Sequence, residues 1–127
     1  QLIARKREIL STYQARLAGL EGVSMNPEPE GTINGAWMPT VVFSPQTGVT
    51  REMLQTAFSV ENIDARVFFW PLSSFPMFCS ARANTFADSI SKRAINLPSY
   101  HDLSLEEAYR VANVIIECHG DSMGAVK

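Results

Sequence analysis

Apolar positions change their spacing several times along the chain, and each change marks an element. Leu10, Tyr13, Leu17 and Leu20 step by three and four, with Leu2, Ile3 and Ile9 extending the stripe. The first twenty residues therefore predict an amphipathic helix. Gly19 and Gly22 stand where such a helix ends, and residues 26–31 (Asn-Pro-Glu-Pro-Glu-Gly) predict a loop. Trp37 to Phe43 reads as a strand whose start tolerates Pro39. Ser44 to Gly48 is a turn, after which Thr50 can cap a helix running to about Phe58, with Met53, Leu54, Ala57 and Phe58 inward. Ile63 to Trp70 predicts a second strand, stopped by Pro71.

Pro71 to Phe78 is a loop rich in large apolar groups. Ala83 to Ser91 predicts a short helix with Phe86, Ala87 and Ile90 inward, and Ile95 to Leu97 a short strand before Pro98. Ser104 and Glu107 form a capping-box pattern, in which hydroxyl and carboxylate each reach the other residue's amide. Leu105, Ala108, Tyr109, Ala112, Ile115 and Ile116 then give a helical stripe, with Cys118 and His119 at its end and Gly120 to Lys127 as a flexible tail. The order is helix, strand, helix, strand, helix, short strand, helix. It predicts an α+β domain with a small three-stranded sheet covered by helices, mainly on one face.

Composition narrows this picture. The chain has 127 residues, 46% of them hydrophobic, enough for the core of one domain. A net charge of −2 gives no reason to expect a polyanion, and Arg5, Lys6 and Arg7 read as a solvated helix face, so nucleic acid is not expected. The longest apolar runs, Val67 to Leu72 and Val111 to Ile116, are far too short to cross a bilayer. Two distant cysteines make no disulfide framework, and the default compartment is the cytoplasm. A helical pattern that starts abruptly at Gln1 reads as the continuation of a longer chain.

Catalytic constellations are sparse. Cys118 and His119 are sequence neighbours, a poor geometry for a nucleophile and its base. Two histidines and two cysteines lack metal-ligand spacing, and Gly31, Gly35 and Gly48 are isolated turn glycines that form no phosphate loop. None of Lys6, Lys92 and Lys127 lies in a segment suited to a desolvated Schiff-base amine. The segment that stands out runs from Arg66 through Phe68, Phe69, Trp70, Phe75 and Phe78. Its aromatics either plug the core of this domain or form a rigid wall that docks on another domain or lines a cleft. Arg66 can bind an anionic group or form a surface ion pair.

That segment resembles the DegT/StrS-type nucleotide-sugar aminotransferases, perosamine synthase-like members among them. Their small domain carries an arginine-led strand, an aromatic-aromatic-Pro-Leu loop and a further Pro-x-aromatic. Here these are Arg66, then Phe68-Phe69-Trp70-Pro71-Leu72, then Pro76-Met77-Phe78. A second similar segment runs from Ala87 to Tyr100, ahead of the capped helix at Ser104, and the opening helix with Tyr13 and Leu17 and the Trp37-Met38 strand also fit. One departure stands out: family members often have a histidine directly after the Pro-Leu, where this chain has Ser73. A serine does not titrate near neutrality, so any ionic contact made by that histidine is absent here.

The resemblance implies that residues 1–127 are a single C-terminal small domain with a three-stranded, mainly antiparallel sheet, as in fold-type-I transferases. It implies a large domain, absent from this sequence, that holds pyridoxal phosphate and its Schiff-base lysine. It implies a homodimeric enzyme that passes an amino group, usually from glutamate, to a nucleotide-linked keto-sugar. The small domain would shape the substrate pocket and support the dimer, with Arg66, Trp70, Ser73 and Ser74 as substrate-binding candidates. No catalytic, cofactor-binding or metal residue is expected within it, and no catalysis or bound cofactor for this chain alone. The competing expectation is an independent, non-catalytic binding or protein-interaction module.

Overall fold

A computed structural model of the chain describes residues 1–78 and 84–125. Among these residues there are four helices, α1 (Leu2–Leu17), α2 (Arg51–Val60), α3 (Thr85–Ser91) and α4 (Leu105–Ala125). Four strands, β1 (Val23–Met25), β2 (Thr40–Phe43), β3 (Arg66–Val67) and β4 (Ala94–Asn96), form one sheet in the order β1-β2-β4-β3. Every neighbouring pair is antiparallel. The α+β class is as expected, but the sheet has four strands where the sequence pattern predicts three. The extra strand, β1, is a three-residue edge segment that carries too little alternation to be read in advance.

The core lies between one sheet face and the helices. Register places Val41 opposite Ile95, and these two residues, with Phe43, are fully buried. From the other side Tyr13 and Leu17 of α1, Leu54 and Phe58 of α2, and Ala112 and Ile115 of α4 close over them. Both predicted caps are formed. Thr50 Oγ1 accepts from the Met53 amide at 3.2 Å, and Ser104 Oγ accepts from the Glu107 amide at 3.1 Å while the Glu107 carboxylate accepts from the Ser104 amide at 2.7 Å. Each cap satisfies amides that the first helical turn leaves without partners.

Several boundaries move. α1 stops at Leu17, and Leu2 and Ile3, expected on its apolar face, are 67% and 65% exposed. β2 begins only at Thr40; the preceding Pro39 has no amide to donate, although its carbonyl accepts from the Leu97 amide at 2.8 Å. The second predicted strand shrinks from 63–70 to Arg66–Val67, the two residues that pair with Asn96 and Ile95 of β4. Met53 is partly exposed, at 37%, and Phe86 and Ala87 of α3 face solvent; Ile90 is half-buried. The start predicted for α3, at Ala83, lies outside the described residues.

The last helix differs most. It continues to Ala125, so Cys118 and His119 lie inside it and are buried, and residues up to 125 form no tail. Ser122, one turn further, donates to the Thr47 carbonyl at 2.6 Å. That bond gives the helix C-terminal half a polar anchor on the turn before α2.

Candidate functional site

Antiparallel register aligns Thr40, Asn96 and Arg66 in one row across β2, β4 and β3. Because side chains alternate along a strand, this row projects from the face opposite Val41 and Ile95. Asn96 is buried, and both ends of its amide are used: Oδ1 accepts from Thr40 Oγ1 at 2.8 Å and Nδ2 donates to the Val67 carbonyl at 3.2 Å. The row is therefore fixed up to its exposed end, which is Arg66.

Arg66 pairs with Asp64 at 2.9 Å, and both side chains are about three-quarters exposed, at 76% and 75%. It lies on the rim of a cleft of about 520 Å³ whose wall also includes Asn62, Tyr100, Glu107 and Arg110. Within that wall the Tyr100 hydroxyl donates to Glu107 at 2.9 Å. The bond from the Ser104 amide, then those from the Ser104 and Tyr100 hydroxyls, hold the Glu107 carboxyl below its usual range. The same contact raises the Tyr100 phenol. Charges of both signs on one concave surface suit a ligand with anionic groups and hydroxyls.

Beyond Val67 the chain leaves the sheet and turns through two single 3-10 turns, Leu72–Ser74 and Pro76–Phe78. The aromatics here do not fill the core. Phe69, Trp70, Phe75 and Phe78 are 58%, 51%, 41% and 45% exposed, and Leu72 and Met77 more so. Of the two readings open from sequence, the core plug does not have this geometry; the segment is a contiguous exposed apolar stretch.

The other sequence candidates lie apart from Arg66. Trp70 is not on the cleft rim; its ring is stacked on the guanidinium of Arg51, 3.9 Å from ring centre to guanidinium carbon. Ser74 Oγ donates to the Pro71 carbonyl at 2.7 Å and so closes its own turn. Ser73 Oγ is buried without a hydrogen-bond partner among the described residues. Arg51, which holds Trp70 in this stack, is a residue that the sequence pattern did not single out. It reads there only as the first residue of a capped helix, and nothing in the spacing pairs it with an aromatic nineteen positions on.

The described lysines do not suit a covalent cofactor. Lys6 donates to the carbonyl and hydroxyl of Ser99, and Lys92 is exposed, whereas a Schiff-base amine needs a desolvated site. Among the described residues no group of three or more His, Cys, Asp or Glu side chains could hold a metal ion, and no helix is long and apolar enough to cross a membrane. Cys118 is buried, and burial pushes its thiol up, away from a reactive thiolate.

The model of the DegT/DnrJ/EryC1/StrS aminotransferase family matches residues 1–116. The chain is 30% identical over 118 residues to the GDP-perosamine synthase of Vibrio cholerae, covering 91% of this chain and 32% of that protein. The GDP-perosamine synthase of Escherichia coli O157:H7 is 29% identical over 120 residues, covering 94% and 32%. In structure the chain is similar to DesI, solved in the presence of its TDP-sugar product, with a TM-score of 0.83 and 21% identity over 98% of this chain and 33% of that one. The chain thus spans about a third of the length of the curated relatives it matches.

Proposed function

The chain belongs to the DegT/DnrJ/EryC1/StrS aminotransferase family, and from that membership we propose that it is the C-terminal small domain of a pyridoxal-phosphate-dependent sugar aminotransferase. The whole enzyme moves an amino group, usually from glutamate, to a keto-sugar carried on a nucleoside diphosphate. It works in the cytoplasm as a homodimer. The observation that carries this reading is the family match over residues 1–116, which takes in α1 to α3, all four strands and the first half of α4. The names of two relatives, both GDP-perosamine synthases, support a nucleotide-sugar as the substrate class.

Within the enzyme the task of this domain is binding. No step of the transfer is assigned to its described residues; Lys6 is hydrogen-bonded to Ser99 and Lys92 is exposed, which supports a cofactor held elsewhere in the enzyme. Arg66 offers a planar, permanently charged fork to a diphosphate or carboxylate. Trp70 offers an apolar face, and the loop of Ser73 and Ser74 supports it. The other exposed aromatics of this loop, Phe69, Phe75 and Phe78, pack against the large domain and keep water from that side of the pocket.

The test is amino transfer by the full-length protein, supplied with pyridoxal phosphate, glutamate and a GDP- or TDP-linked keto-sugar, read as the amino sugar by mass spectrometry. Residues 1–127 alone are expected to give none. A borohydride-trapped lysine adduct together with amino transfer by the 127-residue polypeptide would overturn this division of labour. A full-length protein that binds no pyridoxal phosphate would instead favour a non-catalytic binding module.

A further inference from the structure

Trp70 stands half in solvent, yet one face of its indole is closed. The Arg51 guanidinium covers that face at 3.9 Å, while Arg51 itself is only 8% exposed. A planar, weakly hydrated cation lies flat on an indole and is attracted by its π-face, most strongly where water is excluded. Arg51 is held from other directions as well. Its Nη2 donates to Glu52 at 3.1 Å, its Nη1 reaches the Ser91 carbonyl at 3.4 Å, and its backbone amide donates to the Lys92 carbonyl at 2.8 Å. The cation is therefore tied to the first turn of α2 and to the end of α3.

The segment carrying Trp70 has weaker ties. Strand pairing stops at Val67, and the amides of Ser74, Phe75 and Phe78 bond to carbonyls within the loop itself. Those bonds shape the turns but do not fix them to the rest of the domain. Among the described residues, the stack on Arg51 is a contact that joins the loop to α2.

We propose that Arg51 is a positioning residue for substrate binding, clamping one face of Trp70 so that the opposite face is held open to the nucleotide-sugar. The inference rests on the reading of Trp70 as a substrate contact made above. A ring fixed beforehand loses less freedom when the ligand arrives. Loosening it therefore weakens binding of substrate and transition state alike, which raises KM and leaves kcat nearly unchanged.

The experiment uses the full-length protein labelled with 5-fluorotryptophan, in which the Trp70 fluorine resonance is identified by its loss in Trp70→Phe. Arg51→Gln is expected to shift and broaden that resonance and leave the other indole signals in place. It should raise KM for the nucleotide-sugar about tenfold with kcat within about twofold. Arg51→Lys, which keeps the charge without the planar fork, should move the signal less and recover part of the KM. On a Trp70→Leu background Arg51→Gln should add little further rise in KM, as coupled residues do.

A folded Arg51→Gln protein with an unmoved Trp70 resonance overturns the clamp, as does full additivity in the double variant. If Arg51→Gln does not fold, Arg51→Lys decides the matter on the same two readings. Trp70→Leu with an unchanged KM sinks the substrate contact instead, and with it the positioning role, even where the resonance still reports the stack.

Discussion

The hydroxyl of Tyr13 donates a 2.8 Å hydrogen bond to the carbonyl oxygen of Pro98, tying α1 to the chain just beyond β4. Tyr13 is wholly buried and Pro98 half-buried, so the bond gives a phenol enclosed in the core its polar partner. Tyr13→Phe should destabilise the domain by about 1–3 kcal/mol, because the Pro98 carbonyl is left without its donor. Burial, and then the charges of Tyr100 and Glu107, raise the Tyr13 phenol. A raised folded value favours the neutral form, so its stabilising effect is complete below the ordinary phenol value of about 10 and declines as pH rises beyond it. Urea denaturation at about pH 8 and about pH 11 should show this alkaline loss in the native sequence and a smaller one in Tyr13→Phe. Equal losses would remove Tyr13 as its source.

The Ser104–Glu107 box starts the longest helix and also borders the cleft beside Arg66. Ser104→Ala should cost about 1 kcal/mol in urea denaturation. The Glu107 carboxyl is held below its usual value, first by the Ser104 amide. A depressed folded value means that the contribution is present above the ordinary carboxylate range and is lost as pH falls through the folded one. Glu107→Gln should therefore flatten the acid side of a melting-temperature profile. A profile that keeps its slope in the variant assigns the acid sensitivity to other carboxylates.

Gly22 sits at φ +73, and a Cβ added there would meet Ser44 Oγ and Thr47 Cγ2, each at 2.7 Å. Its carbonyl also accepts from the Ser44 amide at 2.6 Å, which sets the β1–β2 register. Gly19, at φ +87, has open space around it. Gly19→Ala should cost about 1 kcal/mol for the left-handed backbone alone, and Gly22→Ala about 2–4 kcal/mol, since the clash adds to the same backbone cost. Urea midpoints of the two variants give the comparison. A loss at Gly22 no larger than at Gly19 would mean that Ser44 and Thr47 yield freely.

Gly22 also marks where reading the sequence reaches its limit. Long stripes such as Leu10-Tyr13-Leu17 and Ala108-Ala112-Ile115 are legible because burial repeats along one helix face, and the two caps are legible because they are local. β1 is not, since a three-residue edge strand exists only through its pairing with β2. The continuation of α4 past His119 is set by distant groups: His119 bonds the Glu21 carbonyl at 2.8 Å and Ser122 the Thr47 carbonyl. In the site, Arg66 and the aromatic loop stood out by composition. The loop's exposure and the Arg51–Trp70 stack depend on how α2 meets that loop, which no local pattern encodes.

Arg66 separates stability from binding more cleanly than any other position. Among the described residues its side chain pairs with Asp64, and an ion pair this exposed contributes about 0–1 kcal/mol. Arg66→Ala should therefore leave the urea midpoint nearly unchanged. In the full-length protein the same change should raise KM for the nucleotide-sugar by about tenfold or more, because a charge-assisted bond to an anionic group is lost. Arg66→Lys should recover only part of it, since an ammonium cannot make the two parallel bonds of a guanidinium. Asp64→Asn should not raise KM, because the carboxylate competes with the ligand for the same cation. Unchanged kinetics in Arg66→Ala would take this residue out of the pocket and leave its ion pair with Asp64 as its whole role.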